Sequence, residues 1–284
     1  MGAPAAAPRL RDPLPPHDTL PIAAGIGALA VLSASLIISK YILELLVDQG
    51  WPTFIYVILV GVLGYGPSVW WWRYATRRWG TGRMLDDVGA RPRFADLGWA
   101  PVIWLVALGV QAALASVVIA LDLPFTSNTE ELGDLAADRA YSVAIVAAAV
   151  VAAPIIEEVV FRGLLMRSLL AANPAVIAIA LQGLLFGVAH IDPVRGTGNI
   201  GLAMVLSGVG TAFGAAAYLL RRIGPTVGAH AILNGVVMFI LLSNVLDGVR
   251  EDSPFQLNGS VQISVVDESD VAEPDGGGNS HLGG

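Results

Sequence analysis

The sequence predicts an all-α fold, a polytopic transmembrane helical bundle of about seven spans, and three observations predict it. Apolar residues fill 55% of the 284 positions and charged residues only 14%. A soluble domain is about a quarter charged, so this much apolar surface exceeds what a soluble interior can take in. Mean hydropathy is +0.67, and the apolar residues fall in blocks of about twenty, the length with which an α-helix crosses roughly 30 Å of hydrocarbon.

Residues 1–19, rich in Ala and Pro with only Arg9 and Arg11 as basic groups, form an N-terminal tail. They lack the basic, apolar and small-residue series of a cleaved signal peptide, so the first span serves as its own signal. The spans follow at 20–43, 51–72, 99–121, 141–161, 174–191, 200–220 and 224–246, the fifth of them short and Gly-containing. Trp51 at one end of the second span and Trp70, Trp71 and Trp72 at the other form an interfacial aromatic belt.

Arginine placement orients the bundle. Arg73, Arg77, Arg78, Arg83, Arg91 and Arg93 crowd the loop after the second span and mark it as cytoplasmic. Arg9, Arg11, Arg221, Arg222 and a turn carrying Arg162 and Arg167 then fall on the same side, which gathers 12 of the 16 basic residues there. Lys40, Arg139, Arg195 and Arg250 fall outside, as does an acidic loop over 122–140 with Asp122, Glu130, Glu131, Asp134 and Asp138. Residues 247–284 turn acidic and Gly-rich and read as a disordered tail. The organisation is thus a cytoplasmic tail 1–19, N-terminal spans with their Arg-rich loop 20–98, a third span with its acidic loop 99–140, a membrane core 141–246 and the tail 247–284. The net charge of −7 owes much to that tail and points to no nucleic-acid partner. With no cysteine in the chain, disulfides, thiol nucleophiles and Cys-based zinc sites are excluded.

The core carries ionisable groups at membrane depth, where each costs roughly 3 kcal/mol or more at the bilayer centre. Glu157, Glu158 and Arg162 end the fourth span, Phe186 and His190 close the fifth, and His230 and Asn234 lie in the seventh. Glu158 and Arg162 are four apart with the acid first, the favoured orientation for an ion pair along one helix face. Glu157, turned about 100° away, is free to face a cavity. His230 and Asn234, also four apart, share a face. Asn173-Pro174 breaks the helix between the first two clusters, because the residue before a proline is pushed out of helical conformation. Glu157 and His190 stand equally far from that break, about 24 Å at 1.5 Å per residue, which sets them side by side. With His230 close to Gly224, the three clusters meet in one cavity expected to open toward the cytoplasm.

Each residue has a bland reading. Glu158–Arg162 suits a structural ion pair, His190 a donor to a backbone carbonyl, Asn234 an interhelical hydrogen bond, and Phe186 simple packing. Together, two acids, two histidines, an arginine and an asparagine on three helices make a full catalytic inventory.

These residues resemble a known family. Glu157-Glu158-x-x-x-Arg162, Phe186-x-x-x-His190 and His230-x-x-x-Asn234 are similar to the three motifs of the CPBP family, the CAAX prenyl endopeptidases and bacteriocin-processing proteases also called Abi proteins. The resemblance covers about residues 141–246 and implies an intramembrane endopeptidase acting on membrane-associated peptides or proteins in the lipid bilayer. It implies that Glu157 activates the attacking water with His190 sharing the task, that His230 and Asn234 stabilise the oxyanion, and that Glu158, Arg162 and Phe186 support them. A carboxylate in a partly desolvated cavity suits the role of base, and donors aimed at an oxyanion contribute a few kcal/mol.

The cofactor stays open at this point. Glu157, His190 and His230 form a legitimate ligand set for a divalent metal such as zinc, the HExxH motif is absent, and the same residues suffice without metal. Two competing functions are a proton- or ion-coupled transporter, since intramembrane Glu, His and Arg also serve as relays, and a non-catalytic scaffold or immunity factor. A transporter favours inverted repeats with broken helices, and none is discernible. The Ala-, Arg- and Gly-rich composition with a single lysine suggests a high-GC bacterium, hence a bacterial plasma membrane and substrates that are not prenylated.

Overall fold

The computed structural model describes residues 20–46, 49–127, 129 and 139–243. The tails expected at 1–19 and 247–284 lie outside these residues, as do Glu130, Glu131, Asp134 and Asp138 of the acidic loop. The described chain is helical, with no strand: α1 (Ile22–Leu46), α2 (Thr53–Trp79), a single turn α3 (Met84–Asp87), α4 (Phe94–Ala120), α5 (Arg139–Leu170), α6 (Ala175–Val188), a 3-10 segment (Pro193–Gly198), α7 (Asn199–Leu220) and α8 (Gly224–Leu242).

Six helices are long and apolar enough to cross a membrane, namely α1, α2, α4, α5, α7 with its 3-10 segment, and α8. The expected fifth span is the exception. Pro174 starts α6 and the chain turns at Ala189 and His190, which leaves 14 helical residues, about 21 Å at 1.5 Å per residue. It is a short apolar helix packed against α7, below the length of the other six.

Several helices run past their expected ends. The second span reaches Trp79, so Trp70, Trp71 and Trp72 lie within the helix. Trp71 donates its indole N–H to Ala24 O at 3.0 Å and Trp72 donates to Met84 O at 3.0 Å; Trp70, 63% exposed, and Trp51, 44% exposed, keep the character of anchors. The fourth span reaches Leu170, and Arg162 and Arg167, expected in a cytoplasmic turn, are instead helical and buried. α4 begins at Phe94 because the Asp96 carboxylate accepts the Arg93 backbone N–H at 2.9 Å, capping the first turn.

α5 is interrupted twice by π-helical turns, at Ala148–Ala152 and Val159–Leu165. Pro154 lacks the N–H that a regular helix would use, and a π-turn absorbs such a misfit by widening the ring. The two acids of α5 sit between these widened turns.

Small residues bring α6 and α7 together. A Cβ at Gly187 would strike Ala203 O and Ser207, and one at Gly210 would strike Phe186; both therefore stay glycine so that the backbones can approach.

The two ends of the bundle differ. At the arginine-rich end the 80–93 loop tucks inward. Asp87 accepts from Thr81 and Gly82, Val88 is fully buried and lies where a Cβ on Gly163 would go, and Gly89 O accepts from Ile223 N at 3.0 Å. Arg222 ties the same loop to α4 by donating to Asp96 and to Arg91 O. At the opposite end Lys40 of α1 pairs with Asp192 at 2.7 Å, and the 124–126 strand of loop hydrogen-bonds to Gly198 and Gly201.

Candidate active site

The depth reasoning from Asn173-Pro174 has a direct counterpart in distances. Glu157 Oε2 lies 3.9 Å from His190 Nε2 and 3.9 Å from His230 Nε2. α5, the turn that ends α6, and α8 each contribute one of these groups, and the acids of α5 lie between its two π-turns.

Hydrogen bonds fix the orientation of both imidazoles. His190 Nδ1 lies 2.7 Å from Phe186 O; a carbonyl only accepts, so Nδ1 carries the proton and Nε2 turns to Glu157. His230 Nδ1 lies 3.2 Å from Glu158 Oε1, and an ionised carboxylate likewise only accepts. In their neutral forms both rings therefore present Nε2 lone pairs toward Glu157. Glu157 Oε2 is itself buried with no hydrogen-bond partner. Three acceptors converging without a donor leave a place for one. A water about 2.8 Å from each of two atoms bridges a 3.9 Å gap with a bent but ordinary geometry.

Beneath this triad lies a closed layer. Arg162 donates to Glu158 Oε1 at 2.7 Å and to Gly210 O at 3.0 Å, with both side chains of the ion pair fully buried. The Arg162 fork is thus split between a carboxylate and a backbone carbonyl rather than doubled on Glu158. Phe186, whose simplest reading was packing, joins the clusters: its ring centre is 4.7 Å from that of His190, 6.0 Å from that of His230, and 4.5 Å from Arg162 Cζ. Phe213 contacts His230 and Arg162 from α7.

Asn234 stands apart. Its Nδ2 donates to Ala149 O at 2.7 Å, at the first π-turn of α5, so His230 and Asn234 face the same helix but engage it at different levels. No hydrogen bond among the described residues joins Asn234 to Glu157, His190 or His230.

Sequence reasoning missed three contributors. Gln182, fully buried, donates to Gly210 O at 2.9 Å alongside Arg162; a lone amide in an apolar helix was its available signal. Tyr65 of α2 packs against the buried core cluster that contains Phe161 and Phe186, and nothing in its sequence context distinguishes it from other span tyrosines. Lys40 grips Asp192, two residues beyond His190. The same loop is pinned by Asn199, which accepts from Asp192 N and donates to Asp192 O, and by Arg195, which donates to His190 O.

Side-chain exposure rises from 0% at Glu158 to 6% at His230, 13% at Glu157 and 23% at His190, while Val88, Phe161, Arg162, Leu164 and Leu165 are buried.

Glu157, His190 and His230 test the metal reading. Ligands about 2.0–2.1 Å from a tetrahedral zinc stand roughly 3.3 Å from one another, closer than the two 3.9 Å separations here. Among the described residues no three His, Asp or Glu groups are placed to hold a metal ion. This arrangement does not fit a metal centre, and no chemical step is derived through one.

A bundle of membrane-spanning helices around two glutamates and two histidines defines a multi-pass membrane protein with a cluster of ionisable groups inside it. Residues 139–236 match the family model described as Type II CAAX prenyl endopeptidase Rce1-like, and the matched stretch takes in every motif residue from Glu157 to Asn234. Its description is that of the family that the three motifs resemble, and the matched stretch is 98 of the 284 residues. No curated protein and no solved structure matches the chain.

Proposed function

We propose that the chain is an intramembrane endopeptidase whose catalytic core is residues 141–246 and which hydrolyses peptide bonds of membrane-associated substrates by glutamate-activated water. One observation carries the reading: Glu157 Oε2, buried and without a partner, faces the Nε2 atoms of His190 and His230 at 3.9 Å each. A water held there is within reach of a general base through one hydrogen bond.

Glu157 takes a proton from this water as its oxygen attacks the scissile carbonyl carbon, and His190 Nε2 shares the proton load. The carbonyl π bond opens to a tetrahedral oxyanion, which His230 and Asn234 stabilise. For His230 to donate through Nε2, both its ring nitrogens must carry protons, one of them directed at Glu158. Asn234 must exchange its bond to Ala149 O for the oxyanion or use its second N–H. The proton held by Glu157 or His190 then passes to the leaving nitrogen as the C–N bond breaks. Glu158 and Arg162, with Phe186 between Arg162 and the imidazoles, hold the histidine-bearing helices in register. The composition favours the plasma membrane of a high-GC bacterium, where prenylated substrates are not expected.

Comparing membrane peptides from cells carrying the wild-type protein or Glu157→Ala tests this. Uncleaved precursors should accumulate with the variant; identical peptide sets at equal protein abundance overturn the proposal.

A further inference from the structure

The last turns of α2 carry arginines that no carboxylate answers. Trp72, Ala75 and Thr76 turn inward and are buried, so Arg73, Tyr74, Arg77 and Arg78 point outward and are exposed. The acids nearest in sequence are engaged elsewhere: Asp86 with Arg91, Asp87 with Thr81 and Gly82, and Asp96 with Arg222 and the Arg93 N–H. No acidic side chain among the described residues pairs with Arg73, Arg77 or Arg78.

These arginines border a surface made of aromatic rings. Trp70, Arg73, Tyr74, Arg77 and Arg78 line one open cleft of about 360 Å³, and no acidic residue is among its walls. Packing fixes its floor. Tyr74 stacks on Trp70 with ring centres 5.7 Å apart and planes 9° from parallel, and it meets Trp71 at 5.4 Å and Trp79 edge-on at 5.6 Å. Trp71 is held in turn by its bond to Ala24 O, and Arg78 Cζ stands 5.9 Å from the centre of the Trp79 ring. Positive charge and a flat apolar surface thus lie side by side on the face of α2 that the bundle leaves uncovered.

Depth decides what can fill the cleft. From Thr53, where α2 begins, to Arg73 is about 30 Å at 1.5 Å per residue, the thickness of the hydrocarbon core. Arg73, Arg77 and Arg78 therefore stand in the headgroup layer, with Trp70 at its inner edge, where an indole is favoured. By the positive-inside rule this end is cytoplasmic, and anionic lipids give that leaflet its negative surface. The chain's own acidic tail is poorly placed to compete. α8 starts at this end, where Ile223 N donates to Gly89 O, and carries the chain to the opposite end before Glu251 is reached.

We infer that this cleft binds an anionic phospholipid of the cytoplasmic leaflet, with its phosphate held by Arg73, Arg77 and Arg78 and its glycerol and upper acyl chain lying on Trp70 and Tyr74. Arginine meets phosphate through a planar two-point fork, and guanidinium groups without a carboxylate partner keep their forks free for it. The ring surface favours a lipid over a free anion, because a phosphate alone would use the arginines and leave the rings idle. The cleft shares no residue with Glu157, His190 or His230, and its test needs no cleavage, so its outcome is separate from that of the protease reading.

Thermal unfolding of the purified full-length protein in neutral detergent, with phosphatidylglycerol or phosphatidylcholine added, tests this. A ligand of the folded state raises the transition as its concentration rises. Phosphatidylglycerol should raise it by several degrees at amounts at which phosphatidylcholine and inorganic phosphate raise it little. The triple variant Arg73→Gln, Arg77→Gln, Arg78→Gln breaks no ion pair among the described residues. It should unfold as the wild type does in neutral detergent and lose the phosphatidylglycerol response. Trp70→Ala keeps every charge and removes only the ring stacked on Tyr74, and it should need several-fold more phosphatidylglycerol for the same rise. An undiminished response in the triple variant places the lipid elsewhere, and an undiminished response in Trp70→Ala reduces the effect to diffuse attraction of charge. An equal rise with phosphatidylcholine makes it a general effect of lipid, with inorganic phosphate a site for free anions, and with a polyglutamate peptide a surface for an acidic protein. Each of these results overturns the inference.

Discussion

The Arg162 guanidinium carbon stands 4.5 Å from the centre of the Phe186 ring. The contact joins the helix that carries both acids to the helix that carries His190, and it lies wholly in the buried layer beneath the site. A desolvated cation over an aromatic face is worth about 2 kcal/mol, and here the same cation also bonds Glu158 and Gly210 O.

Arg162→Lys should therefore destabilise the protein although charge is kept. One ammonium on a flexible stem cannot meet a carboxylate, a carbonyl and a ring as a planar fork does. Loss of one bond to a charged group costs about 1.5–3 kcal/mol. Thermal unfolding in detergent should shift down, and an unchanged transition together with unchanged cleavage would take Arg162 out of the supporting layer.

Lys40 and Asp192 should act through His190. Lys40→Met frees the loop that follows His190, so kcat should fall several-fold while protein abundance holds, and Lys40→Arg should restore most of the rate. A purely structural role would lower abundance instead. The Lys40 hydrogen bond holds the Asp192 carboxyl below its ordinary value. A depressed folded value means that the tether's stabilisation is complete above the ordinary aspartate pKa of about 3.9 and is lost as pH falls through the folded value. Asp192→Asn should accordingly resemble at neutral pH what strong acid does to this loop in the wild type. Equal kcat in Lys40→Met and wild type would detach the pair from the site.

How much of this was legible in the sequence follows from what each residue's signal depends on. Glu157, His190 and His230 were visible because charge at membrane depth is rare, and a proline break that sets two arms to equal length agrees with the 3.9 Å between Glu157 and His190. Tyr65 was not visible, since its role comes from the packing of α2 beside α5, which no local pattern encodes. Span boundaries failed where polar residues were satisfied inside the helix: Arg162 and Arg167 read as a turn only while their partners were unknown.

Chelation should leave cleavage intact. The 3.9 Å separations about Glu157 Oε2 are wider than a tetrahedral zinc site requires, and the mechanism draws on protein groups and water alone. Turnover measured after exhaustive dialysis against a chelator should equal the untreated rate. Loss of activity that zinc restores would show that the three groups close around a metal during catalysis.

Glu157→Gln and Glu158→Gln should fail in different ways. Glu157 is partly exposed and its Oε2 has no hydrogen-bond partner, so an amide there keeps shape and removes only the ability to take a proton. Turnover should drop by about 10²–10⁴, the usual share of general acid–base catalysis, with abundance unchanged. Glu158 is fully buried between Arg162 and His230. Glu158→Gln leaves the Arg162 cation without its counter-charge, and breaking a buried pair costs about 3–5 kcal/mol. Its main symptom should be less folded protein, with turnover per folded molecule reduced far less than in Glu157→Gln. Quantifying both variants by immunoblot and by cleavage rate separates a base from its support. Normal turnover in Glu157→Gln, with Glu158→Gln inactive at normal abundance, would exchange the two roles: the water would then lie on the Glu158 side of His230, in the layer that the fold keeps closed.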